Sequence, residues 1–145
     1  NMESIESTLG KEEEYLQSFS KDRNEKDPAT KITWRKLEVE DYDKGYYDVL
    51  GNLTVVGEIS QEAFEEQYNQ INPNKSETYK IIVGVDQETD RIVCNGTLVV
   101  EKKFLRNLKS CGHIEDIVVH KDYSKQGIGG DILNILKSIG KLNNC

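Results

Sequence analysis

Apolar and polar positions change period several times along the chain, and each change marks an element. Ile32, Trp34 and Leu37 alternate imperfectly with polar neighbours and predict a first strand. Asp41 stands at a capping position ahead of Tyr46, Tyr47, Val49, Leu50 and Leu53, which predicts a helix that Gly57 ends. Ser60 caps a second predicted helix with Phe64 and Tyr68 on one face. Residues 78–85 and 91–104 predict two strands of a hairpin, joined by the tight turn Asp-Gln-Glu-Thr-Asp. A further strand is predicted over 113–119. Its β-branched run Ile117, Val118 and Val119 predicts burial on both faces. From Gly129 onward Ile132, Ile135, Leu136, Ile139 and Leu142 recur at helical spacing. Strand, helix, helix, three strands and helix make an α/β or α+β layout, a meandering sheet with helices on its faces.

Residues 3–31 stand apart from this order. Ile5, Leu9, Leu16 and Phe19 have loosely helical spacing, but the stretch after Phe19 is charged and lacks apolar anchors. It reads as an N-terminal extension and linker, a solvated tail. The expected division is 1–31 for this extension and 32–145 for the folded domain.

Composition narrows the function classes. The chain has 145 residues, enough for one core, and a net charge of -7, which argues against a nucleic-acid partner. No apolar run is long enough to span a bilayer, and the start carries no basic-then-apolar leader, so the expectation is a cytoplasmic protein without membrane contact. Three cysteines without a Cys-x-x-Cys pair, and only His113 and His120 as imidazoles, predict no metal site. Asn52, Asn74 and Asn95 match a glycosylation sequon, a signal of little weight without a leader. Cys111 and His113 could share a strand face as a thiol–imidazole pair, but no orienting third group is evident.

The chemistry concentrates in 114–130. Glu115 and Asp116 head the apolar run, and Gly127, Gly129 and Gly130 open the last helix. The first turn of a helix leaves backbone N–H groups unpaired, and these donors with the helix dipole favour an anion such as a pyrophosphate. Glycines let that backbone approach a ligand, Lys125 adds a cation and Gln126 an amide. Neither the P-loop nor the dinucleotide glycine pattern is met, because no Gly-Lys-Ser/Thr follows and Ile132 stands where the third glycine would be.

The segment Ile-Glu-Asp-Ile-Val-Val-His-Lys-Asp-Tyr-Ser-Lys-Gln-Gly-Ile-Gly-Gly resembles the acetyl-CoA-binding core of the GNAT acetyltransferases. Ser124 departs from their loop pattern, which begins with Gln or Arg. Together with Gly112–Val119, the stretches Asn52–Ser60 and Glu101–Gly112 are similar to the eukaryotic glucosamine-6-phosphate N-acetyltransferases, from about Ile32 to the C-terminus. The resemblance implies the GNAT fold, with a mixed, mostly antiparallel central sheet flanked by helices. It implies transfer of acetyl from acetyl-CoA to the 2-amino group of glucosamine 6-phosphate by direct attack on the thioester, in a homodimer. Sugar-phosphate contacts would fall on Thr54, Lys103, Phe104, Leu105, Arg106, Glu115, Asp116 and Ile117. Acetyl-CoA contacts would fall on Ile117, Val118 and Val119, and on Lys125, Gln126, Gly127, Ile128, Gly129 and Gly130. Glu115 and Asp116 are the expected catalytic carboxylates. On an unbroken strand only one of them would face the substrate, so a bulge is needed to present both. The proton acceptor is left open between a carboxylate, a backbone carbonyl and a relayed water.

The resemblance also implies more chain after Cys145: a strand, a helix with a thiolate-protonating tyrosine, and final strands. The 145 residues are therefore expected to be part of a longer acetyltransferase. Two other readings stand beside this one, a GNAT enzyme acting on another amine and a non-catalytic acyl-CoA-binding module.

Overall fold

The computed structural model describes residues 2–145. Helix α1 (Met2–Lys26) leads into β1 (Ile32–Lys36), then a 3-10 turn (Val39–Lys44), α2 (Tyr46–Leu50) and α3 (Gln61–Ile71). Strands β2 (Tyr79–Asp86), β3 (Arg91–Glu101) and β4 (Cys111–Val119) follow, and α4 (Ile128–Leu142) closes the order. The four strands form one antiparallel sheet in the order β1-β2-β3-β4. The fold class read from the sequence is borne out, and so is the hairpin, whose tight turn ends at Asp90 with φ 56°.

Side chains alternate across the sheet and build a core on each face. On β2, Ile82 joins Leu16, Trp34, Leu98, Ile132 and Leu136 under α1 and α4. Its neighbours Ile81, Val83 and Val85 join Val49 and Phe64 under α2 and α3. Ile132, Ile135, Leu136 and Ile139 of α4 are each fully buried. At about 1.5–3 kcal/mol per buried aliphatic side chain, this stripe fixes how α4 lies on the sheet. Ser60 caps α3 as expected, its Oγ accepting from the Ala63 N–H at 3.1 Å.

Three expectations need correction. The tail expected over residues 3–31 is not solvated. Helix α1 runs through Lys26, buries Glu12, Leu16, Ser20 and Arg23, and satisfies the open edge of β1. Ser20 Oγ accepts from the Trp34 N–H at 2.9 Å. The Asn24 amide pairs with both backbone groups of Ile32 at 2.9 Å. Polar side chains read as marks of a linker thus replace the missing neighbour strand.

Asp41 does not cap a helix that runs to Leu53. It lies buried within the 3-10 turn, receives two bonds from Arg35 at 2.7 and 2.8 Å, and accepts from the Glu38 N–H at 2.9 Å. Gly45, at φ 87°, then breaks the path, so α2 is a separate short helix. The third correction concerns β4. It is an edge strand whose residues 112–116 are exposed, and only Val118 is buried within it. Helices cover the end of this strand and leave the rest open. No helix among the described residues is long and apolar enough to cross a membrane.

Candidate active site

The acidic pair sits at an irregularity in the β3–β4 ladder. Asn95 faces Val118 and Thr97 faces Glu115, so two residues of β4, Asp116 and Ile117, oppose the single Gly96 of β3. This is a β-bulge, and Asp116 takes a left-handed φ of 53°. Gly96 is required there, because a Cβ would stand 2.6 Å from Ile132 Cγ1 of α4. The extra residue breaks the strict alternation of side chains, and Glu115 and Asp116 are both exposed. The bulge that the sequence needed in order to present both carboxylates is therefore present.

The chain leaving β4 is pinned before it reaches the glycines. The Lys121 N–H donates to Asn52 Oδ1 at 3.1 Å, which ties this segment to the loop that carries Thr54. Tyr123 Oη donates to Asp86 Oδ2 at 2.5 Å and anchors the turn to the end of β2. That bond, burial and the Asp86 charge raise the Tyr123 hydroxyl above its ordinary value. Lys125 and Gly127 then take left-handed φ values of 64° and 78° and turn the chain into α4.

The entrance to α4 has the features expected of an anion site. Its first helical bond runs from the Asp131 N–H to the Gly127 carbonyl at 3.0 Å. The N–H groups of Ile128, Gly129 and Gly130 precede that ladder, and no side chain caps them. A Cβ on Gly127 or Gly130 would meet nothing within 4 Å, and one on Gly129 only Val119 Cγ2 at 3.8 Å. The glycines thus leave the Cα side of this turn open to a close approach. Lys125 and Gln126 lie exposed beside them, and Ile128 is buried as the anchor of the turn. These groups fit a diphosphate.

The other expected contacts are dispersed. Thr54 is exposed in the turn after α2, Ile117 and Val119 are half-buried, and Val118 is buried. Lys103, Phe104, Leu105 and Arg106 lie on the exposed connection between β3 and β4, and Phe104 is 96% exposed. A cleft of about 700 Å³ takes in Lys103, Leu105, Arg106 and Ile114 beside the outer face of α4. Glu115, Asp116 and the glycine turn are not among its walls. The two expected phosphate cations are unequal. Lys103 is paired with Glu101, which raises the ammonium and lowers the carboxyl from their ordinary values. Arg106 makes no ion pair among the described residues and takes a φ of 54°. Cys111 and His113 form no mutual hydrogen bond among the described residues, and His113 lies 3.5 Å from Glu101 instead. Among the described residues no cluster of His, Cys, Asp or Glu is placed to hold a metal.

Sequence reasoning missed two residues, one that touches the bulge and one that holds the first. The buried Asn95 amide donates to the Asp116 carbonyl at 3.0 Å, and Tyr46 Oη donates to Asn95 Oδ1 at 2.9 Å. The available signal was a polar Asn-Gly step inside the apolar run of β3, which marks irregular pairing.

No family model matches the chain. Individual relatives do. A glucosamine 6-phosphate N-acetyltransferase 1 of Dictyostelium discoideum is 45% identical over 114 residues, covering 79% of this chain and 71% of that protein. The crystal structure of glucosamine-6-phosphate N-acetyltransferase from Arabidopsis thaliana superposes with a TM-score of 0.74 at 33% identity, covering 79% of this chain and 77% of that one. A GNAT family acetyltransferase of Staphylococcus aureus superposes at 0.61 with 15% identity, covering 79% and 81%, which shows the shared fold. With this sequence identity over most of its length and the matching superposition, the chain belongs to the glucosamine 6-phosphate N-acetyltransferase family.

Proposed function

We propose that this protein transfers acetyl from acetyl-CoA to the 2-amino group of glucosamine 6-phosphate, giving the N-acetylated sugar phosphate. The observation that carries the reading is the uncapped, glycine-lined entrance to α4, directly downstream of a bulge that exposes Glu115 and Asp116. Kinship with the Dictyostelium and Arabidopsis enzymes supports the choice of substrate.

In this reading the amides of Ile128, Gly129 and Gly130 take the diphosphate of acetyl-CoA, with Lys125 and Gln126 at its rim. Val118 and Val119 line the path of the thioester arm. Asp116 accepts a hydrogen bond from the sugar amine and holds its lone pair toward the thioester carbonyl, a positioning effect. Glu115 and Thr54 take sugar hydroxyls, and Arg106 draws the 6-phosphate. The neutral amine nitrogen attacks the carbonyl carbon directly, so no acyl-enzyme forms. The C–N bond forms as the C–S bond breaks. The ammonium proton passes to a base, and the departing thiolate takes up a proton. A homodimer goes with this proposal, as the family resemblance implies, and a cytoplasmic location goes with it as the place of the metabolite pool.

Steady-state acetyl-CoA consumption by the purified protein tests the reading. Turnover with glucosamine 6-phosphate well above that with glucosamine is expected. Equal rates would remove the phosphate from substrate recognition, and no turnover with either sugar would overturn the proposal.

A further inference from the structure

The bulge in β4 leaves Asp116 and Ile117 without register partners on β3. The Asp116 carbonyl would be an orphan at this point, and a side chain supplies its donor. Asn95 Nδ2 reaches it at 3.0 Å across 21 positions of sequence. A carbonyl can only accept, so the amide must turn its nitrogen toward Asp116. Its oxygen then faces α2, where Tyr46 Oη donates to it at 2.9 Å. Both intermediaries are buried, Asn95 at 1% exposure and Tyr46 at 7%.

Two polar groups from different elements are costly to bury unless every partner is in place. Apolar residues would fill the same volume and leave only one bulge carbonyl unpaired. The polar chain instead begins in the aromatic cluster of Tyr46, Tyr47 and Phe64 and ends at the backbone of one exposed carboxylate. Its bond holds the carbonyl, and so the peptide that leaves Asp116, at a residue whose φ lies in a region that L-residues rarely occupy. The direction of the Asp116 side chain depends on the backbone held there.

We propose that Asn95 and Tyr46 are positioning residues: the Tyr46–Asn95–Asp116 chain of hydrogen bonds locks the β4 bulge and thereby aims the Asp116 carboxylate at the acceptor amine. The inference rests on the reading of Asp116 as the group that orients that amine. Neither positioning residue touches substrate.

The test compares Asn95→Leu, close in volume but without a donor, with Tyr46→Phe, which keeps the ring and removes only the hydroxyl. Both are made in the whole protein. Steady-state kinetics are read alongside thermal melts and a crystal structure of Asn95→Leu. A misaimed reacting group costs up to about a hundredfold in rate. The expected loss in kcat is therefore about 30-fold for Asn95→Leu and about fivefold for Tyr46→Phe, with KM for acetyl-CoA within about twofold of the parent. In the crystal structure Asp116 is expected to leave its left-handed φ. A folded Asn95→Leu protein that retains kcat within about threefold, or retains the parent bulge, overturns the proposal. If Asn95→Leu fails to fold, Tyr46→Phe decides: unchanged kcat overturns it. A parent protein inactive on glucosamine 6-phosphate, with the bulge still lost in Asn95→Leu, would sink the substrate assignment and the aiming of Asp116 at that amine, leaving only the lock on the bulge.

Discussion

Charged residues occur in two regions of this molecule under opposite rules. On the inner side of α1, Glu12 is fully buried between Lys36 at 2.9 Å and Lys80 at 3.2 Å, and Asn143, just past the end of α4, donates to it at 2.9 Å. At the β4 bulge, Glu115 and Asp116 are exposed and form no ion pair among the described residues. The buried cluster spends its charges on each other and joins α1, the sheet and α4. The exposed pair has its bonding capacity left over, and the proposed function assigns it to the substrate. In this fold the partnered charges join elements of the architecture, and the unpartnered pair is the proposed place of chemistry.

Removing the anion from the buried cluster is the strongest way to test that division. Glu12→Gln would leave two buried ammonium groups without a counter-charge. Breaking a buried pair in this way costs about 3–5 kcal/mol. Lys80 is already held below its ordinary value, chiefly by burial. Urea denaturation is expected to show that loss of stability. Replacing Glu12, Lys36 and Lys80 together by methionine is expected to cost far less. A single substitution as mild as the triple one would mean that the cluster does not hold α1 in place.

Asp116→Ala should behave in the opposite sense. The expected loss is about a hundredfold in kcat, near 2.7 kcal/mol in the barrier, with a stability loss of no more than about 1 kcal/mol, because alanine tolerates the left-handed φ less well than aspartate. A stability loss matching the activity loss would place Asp116 with the architecture.

The two regions also differed in how far the sequence revealed them. Strands, hairpin and α4 follow from periodicity, because burial on a defined face imposes a period that survives in one sequence. The glycine turn was legible for a similar reason, since a left-handed φ narrows the choice at Gly127. The role of α1 was not legible. Its hydrogen bonds to the backbone of β1 run through Ser20 and Asn24, polar residues that look like linker composition until a strand edge needs their hydrogen bonds. Asp41 misled for a related reason: a carboxylate at a capping position was claimed by Arg35 from the neighbouring strand. The Asn95 relay depends on a bulge in a different strand, and no local pattern encodes a contact 21 residues away.

Smaller effects sharpen the comparison. Gly127→Ala places a Cβ at φ 78°, where space is open but the conformation is strained, at a cost of about 1–2 kcal/mol. If the turn exists to hold acetyl-CoA, KM for acetyl-CoA rises several-fold, about tenfold at most, while KM for the sugar phosphate stays level. A rise confined to the sugar phosphate would detach the turn from the cofactor. Alkaline pH probes the buried side. Burial, then the nearby Tyr47, Asp116 and Asp41, push the Tyr46 hydroxyl above its ordinary value of 10.0. The folded state therefore holds this proton more tightly than the unfolded chain. That contribution is present below pH 10 and is lost as pH rises toward the folded value. Between pH 10 and 11 the protein is expected to lose about 1 kcal/mol more in urea denaturation than Tyr46→Phe does. Parallel losses would show that Tyr46 does not titrate on unfolding.

The smallest expected effect separates two cations that the sequence treated alike. Lys103 and Arg106 lie on the same exposed connection, and both were expected to meet the 6-phosphate. Lys103 is engaged with Glu101, and this pairing raises its ammonium above the ordinary value. Its charge is partly offset before any ligand arrives. Arg106 has no such partner among the described residues, and its guanidinium can offer a phosphate two parallel N–H bonds. Arg106→Ala should raise KM for glucosamine 6-phosphate about fivefold and Lys103→Ala less than about twofold, both screened by added salt. Neither should change KM for acetyl-CoA. If Lys103→Ala is the more damaging of the two, the Glu101 pair must open when substrate binds, and Lys103 is then the phosphate ligand. Equal and negligible effects would move the phosphate off this connection altogether.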